Sequence, residues 1–188
     1  MPTLAAAEFF FDAAAKRLAY NPADAAERAA LLAGSIQAIA PVTDRLLDIN
    51  GTTDLTLSNL AFRDTGYYAV GSWVGPAAEP SDGSVRINHA HDISIEACSF
   101  LPGLSGYGVV VGNSSTGVSV TGSHFEGLGE GGVLLYGDSD GDNAPPSRNT
   151  VSHCVFHDLG KTLVHVAAVS LRASAGVCCD IHGIPALD

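Results

Sequence analysis

Two stretches of this chain, Ile93-Ser-Ile-Glu-Ala-Cys-Ser-Phe100 and Val118-Ser-Val-Thr-Gly-Ser-His-Phe125, carry one pattern: apolar, polar, apolar, polar, small, small, variable, Phe. Two further copies stand at Leu55–Phe62 and Thr150–Phe156, and a degraded fifth at Val177-Cys178-Cys179-Asp180-Ile181. Phe100 to Phe125 is 25 residues, and Phe156 to Ile181 is 25 again. The longer gaps, Phe62 to Phe100 (38) and Phe125 to Phe156 (31), contain insertions at 66–83 and 138–148. With these subtracted, one period in the mid-twenties runs through the chain. A repeat of that length cannot bury its own apolar face, so neighbouring units must stack to form a continuous core.

Within a unit, Ile93 and Ile95 alternate with Ser94 and Glu96, the period-two signature of a half-buried strand. Ala97 then shifts the phase, so that Cys98 and Phe100 point inward on a second short strand. The phase-shift position holds Asn59, Ala97, Gly122 and His153 in turn. Gly and Asn suit a left-handed backbone there, His less so, and Ala is the exception. A third strand precedes each unit, at 85–87, 109–111, 133–135 and 169–171. Three strands and three turns per unit predict a parallel β-helix. Leucine-rich repeats share the period, but their regular Leu and Asn positions are missing.

The phrases Asp92-Ile-Ser-Ile-Glu-Ala-Cys-Ser-Phe100, Gly106-Tyr-Gly-Val-Val-Val111 and Phe156-His-Asp-Leu-Gly160 resemble the coils of right-handed parallel β-helix proteins of the pectin-lyase-like superfamily. The segment from Glu8-Phe-Phe-Phe-Asp12 to Leu46-Leu-Asp-Ile49-Asn-Gly-Thr52 is similar to the part that precedes the coils in secreted β-helix glycoside hydrolases. The expected fold is all-β: a three-sided right-handed solenoid of about five coils over 51–188, behind a small β/α cap over 1–50. For residues 8–20, Ala13 to Arg17 favour a helix whereas Phe9–Phe11 and Leu18–Tyr20 favour strands, and the resemblance implies a hairpin. A helix is predicted with Asn21 as N-cap, Pro22 at its first position and Gly34 as its stop. Ile36–Ile39 and Leu46–Ile49 read as strands entering the solenoid. The C-terminal end lacks a closing element, so a missing downstream segment or self-association through that open end is expected.

The formal net charge of -11 argues against nucleic acid, which clustered Lys and Arg must grip. No apolar run reaches the length of a membrane span, and the first eight residues lack the basic start of a signal peptide. The resemblance implies an extracellular setting and a polysaccharide or oligosaccharide partner.

Glycoside hydrolysis requires two carboxylates across a groove, one protonated and one ionised. The resemblance directs that role to Glu126, Glu130, Asp138 and Asp158, and the adjacency of His157 to Asp158 allows an acid/base pair. Asp64 shares a turn position with Asp158 but lies three coils away, on the order of 14 Å. Trp73 and Tyr136 are candidate substrate-binding residues, Trp73 by stacking on a sugar ring or by packing its loop. Asp138, Asp140 and Asp142 alternate in a loop of the oxygen-rich kind that Ca²⁺ prefers, or form an ordinary acidic loop. The signature phrases of polygalacturonases, pectate lyases and pectin esterases are absent. The non-catalytic alternative, a β-solenoid binding or structural module, therefore stays open. Cys98, Ser123, Cys154 and Cys179 are expected in one inward column, where Cys154 and Cys179 lie close enough to bond or remain free thiols.

Overall fold

A computed structural model describes residues 5–6, 8–12, 14–37, 39–66, 83–137, 144–162, 166–173 and 178–182. The chain divides into two compact units, residues 1–39 and 40–188. In the first, β1 (Glu8–Asp12) and β2 (Arg17–Asn21) form an antiparallel hairpin, followed by α1 (Ala25–Leu32). The hairpin expectation holds, but the helix starts later than predicted. Asn21 is paired with Glu8 at the end of β2, which keeps it extended, and Asp24 is the N-cap, its carboxylate accepting from the Glu27 amide at 2.8 Å. Glu27 reaches back to accept from the Ala23 amide at 2.6 Å and from the Tyr20 hydroxyl at 2.7 Å. Gly34, at φ +70°, ends the helix as expected. The described part of 36–39 is not strand, which corrects the strand predicted there.

The second unit repeats a triplet of strands. The triplets are β3 (Leu47–Asn50), β4 (Thr53–Ser58) and β5 (Ala61–Phe62); β6 (Gly83–Asn88), β7 (His91–Glu96) and β8 (Ser99–Phe100); β9 (Tyr107–Val111), β10 (Ser119–Thr121) and β11 (His124–Glu126); and β12 (Val133–Gly137), β13 (Ser147–Ser152) and β14 (Val155–His157). β15 (Val169–Ala173) and β16 (Cys178–His182) follow. Each strand pairs in parallel with the strands three places before and after it, giving three parallel sheets: β3-β6-β9-β12-β15 (sheet I), β4-β7-β10-β13-β16 (sheet II) and β5-β8-β11-β14 (sheet III).

The repeat of the sequence is the register of the sheets. Leu57, Ile95, Val120 and Val151 are successive partners in sheet II, and Leu47, Val85, Val109, Val133 and Val169 in sheet I. Inward side chains of all three sheets meet in one apolar core that includes Ile87, Ile93, Phe100, Val111 and Leu135. Within it Phe62, Phe100, Phe125 and Phe156 stack ring on ring, with centroids 4.9, 4.5 and 4.8 Å apart.

The phase-shift residues do what the pattern demands. Asn59, Ala97, Gly122 and His153 have φ of 56, 50, 59 and 55°, turning the chain from sheet II into sheet III. The amides of Asn59, Ala97 and Gly122 donate to the carbonyls of Glu96, Thr121 and Ser152 in the next triplet, at 3.0–3.1 Å. These bonds lock the corner in place and offset the steric cost of a left-handed residue with a Cβ.

The fifth copy of the repeat is misplaced by the sequence pattern. Ile181 is the partner of Val151, not the successor of Phe156, and Cys179 is the partner of Asn149. Alternation identifies a strand but does not fix its phase, and a register shift between Ser147 and Asn149 moves the pairing further. Cys179 therefore does not stand above Cys154, whose thiol is free and buried. The rest of the column is as expected: the Cys98 amide donates to Ser123 Oγ at 3.1 Å, and the Cys154 thiol donates to the carbonyls of Val120 and Ser152.

Candidate functional site

Among the described residues, the outer face of sheet III and the turn after it gather most of the predicted site. Phe125 is inward and fully buried, so its neighbours His124 and Glu126 face outward, both half-buried. Glu126 is the register partner of His157, which is exposed on β14. Asp158 follows at φ 56°, and its carboxylate pairs with Lys161 at 2.5 Å, both side chains about half exposed. The Gly127 amide donates to the His157 carbonyl at 3.1 Å, fixing the two corners against each other. Neighbouring strands lie about 4.8 Å apart, so Glu126 has His157 beside it and Asp158 one residue further along.

Glu130 is in a different setting. It is 3% exposed, within the glycine-rich turn 127–132. Its amide donates to the Gly106 carbonyl and its carbonyl accepts from the Gly160 amide. The turn has no room for side chains at its glycines: a Cβ at Gly129 would lie 2.0 Å from the Ser105 carbonyl oxygen, and one at Gly132 would lie 2.3 Å from the Phe156 ring. Asp64 is three register steps from Asp158, at the other end of the Phe stack, and pairs with Arg63 at 2.5 Å.

Tyr136 lies on the outer face of sheet I. Its hydroxyl accepts from the Arg86 guanidinium at 3.0 Å, and its ring lies over Gly112, where a Cβ would be 2.9 Å from it. It packs on Tyr107, Val110 and Leu134, which form an apolar cluster separate from the core. This second cluster went unpredicted, although the unbroken runs Val109-Val-Val111 and Val133-Leu-Leu135 are the signal of strands buried on both faces. In the sequence, β6 begins at Gly83, where one insertion ends, and β12 ends at Gly137, just before the other. Trp73, Asp138, Asp140 and Asp142 lie outside the described residues, as does the C-terminal edge beyond His182. Among the described residues no three His, Cys, Asp or Glu side chains converge as metal ligands.

Sheet II presents a third kind of surface, also missed from the sequence. Its outward positions are Thr56, Ser94, Ser119 and Thr150 in one row, and Ser58, Glu96, Thr121 and Ser152 in the next. Thr121 Oγ1 lies 3.1 Å from Ser119 Oγ on its own strand and 3.1 Å from Ser152 Oγ on the next, so a hydroxyl contact joins β10 to β13.

No family model, curated protein or solved structure matches the chain. No helix among the described residues is long and apolar enough to cross a membrane.

Proposed function

We propose that the chain is a right-handed parallel β-helix of about five coils, of the pectin-lyase-like kind, and that it acts on or binds an extracellular polysaccharide along the outer face of sheet III. The observation that carries this reading is the register of Glu126 with His157, which sets a half-buried carboxylate beside an exposed His-Asp pair. Strand spacing permits Glu126 and Asp158 the separation of about 5–10 Å at which two carboxylates flank a glycosidic bond. Glu126 would be the proton donor. Asp158, held by Lys161, would be the ionised partner, and His157 would orient the sugar between them.

A specific observation favours the non-catalytic alternative. The outward rows of sheet II are rich in hydroxyls, interrupted by Glu96, which suits lasting contact with a polymer better than bond cleavage.

The test screens plant, algal and bacterial polysaccharides for binding and for release of reducing sugar. Release that is lost in Glu126→Gln and Asp158→Asn while binding persists supports the hydrolase. Binding without release supports the binding module. Neither binding nor release across the panel overturns both carbohydrate readings.

A further inference from the structure

Asn50-Gly51 is the chain's sole Asn-Gly step. That dipeptide has a chemistry of its own. Glycine has no Cβ to shield its amide nitrogen, so the nitrogen can reach the side-chain carbonyl of the preceding asparagine. Asn50 is exposed at the end of β3, the edge strand of sheet I, and a Cβ on Gly51 would meet nothing within 4 Å. The other described asparagines are less suited: Asn59 and Asn88 precede Leu60 and His89, whose side chains shield the following amide nitrogen. Asn21 precedes a proline, which has no N–H, Asn149 is 2% exposed, and Asn113 has a buried side-chain oxygen.

The structure engages the nucleophile. The Gly51 amide donates to the Asn88 carbonyl at 3.1 Å, one of the bonds that join the β3 end of the first triplet to the second. Gly51 sits at φ +62°, a corner held in place by that bond. The nitrogen cannot attack its own neighbour while it holds this partner and this conformation.

We propose that Asn50 is a site of intramolecular deamidation, and that the reaction runs only when the end of β3 lifts from β6. In the open state the Gly51 nitrogen loses its proton and bonds to Asn50 Cγ. The Cγ–Nδ2 bond then breaks, and the nitrogen leaves as ammonia. Water opens the resulting succinimide at one carbonyl or the other, leaving aspartate or isoaspartate. Either product adds a negative charge at the sheet edge. Isoaspartate also adds a backbone carbon at the corner, so Asn50 can no longer keep its register with Asn88. The modification therefore records edge opening and, once made, favours it.

The full chain is incubated in mildly alkaline buffer, folded or unfolded in urea, and the peptide containing Asn50 is followed by mass spectrometry. The expected result is conversion at Asn50 in both, slower in the folded chain by about tenfold or more, as local opening requires. In Asn50→Gln the mass shift should disappear from that peptide. Equal rates in the two states would show that the Asn88 contact gates nothing. No conversion at Asn50 in urea, or a shift that persists in Asn50→Gln, would remove the site itself.

Discussion

At the scale of single residues, the corners between sheets II and III carry the most information. Asn59 and Gly122 were readable as left-handed positions from the phase shift and their residue type, and His153, less suited, and Ala97, which has no intrinsic liking for that conformation, adopt it too. Its neighbours over-determine it, since Ile95 and Phe100 must both point inward. Ala97→Gly is accordingly expected to stabilise the protein by about 0.5–1 kcal/mol, the relief of left-handed strain less the added flexibility of the unfolded chain. Chemical denaturation checks this, and a loss of stability would mean that the Ala97 methyl has a packing role.

Cys154 gives a pH prediction. Burial pushes its thiol above the ordinary value, partly offset by backbone hydrogen bonds at Ser123, Ser152 and Gly122. The folded state thus holds this proton more tightly than the unfolded state. The associated stability is fully present below the pKa of the unfolded thiol, and it is lost as pH rises through the higher folded value. Stability measured across the alkaline limb should fall less steeply in Cys154→Ala than in the parent. Parallel curves would contradict the assignment.

At the scale of elements, strand existence was easier to read than strand phase. Sheet I, sheet II and the Phe stack follow from alternation and from the spacing of Phe62, Phe100, Phe125 and Phe156. The fifth copy slipped because Cys179-Asp180-Ile181 alternates as well in one phase as in another, and only the pairing with Asn149 and Val151 decides between them. The helix start slipped because Asn21 has the chemistry of a cap but is held in the hairpin by Glu8.

The turn 127–132 shows a different limit. Its glycines are visible in the sequence, but the reason for them is contact between successive triplets. Gly129→Ala would drive a methyl into the Ser105 carbonyl and is expected to cost about 1–3 kcal/mol. Gly122→Ala, with open space at its Cβ, meets only the left-handed penalty less the reduced flexibility of the unfolded chain, a net cost of about 0.5–1 kcal/mol. If denaturation shows Gly129→Ala to be harmless, the turns are less tightly stacked than described.

At the scale of the whole molecule, the repeat makes the fold readable and the function hard to read. Nearly every repeated residue has a structural job: Ile95 and Val120 fill the core, Phe100 and Phe125 stack, and Ala97 and Gly122 turn the chain. The chemistry-bearing residues Glu126, His157 and Asp158 lie on the outer face, where the pattern leaves side chains unconstrained. Their proximity came from register, which no single copy of the repeat contains. The hydroxyl rows of sheet II were hidden for the same reason, since each copy contributes only two outward residues.

The central claim is that copies of one phrase stack in register, each Phe on the next. Nuclear Overhauser contacts between the aromatic rings test it most directly. The account predicts cross-peaks between Phe100 and Phe125, whose centroids are 4.5 Å apart, and between Phe125 and Phe156 at 4.8 Å, with none between Phe100 and Phe156. A direct Phe100–Phe156 contact, or no contact from Phe125 to either ring, would contradict the stacking on which both the fold and the Glu126–His157 site depend.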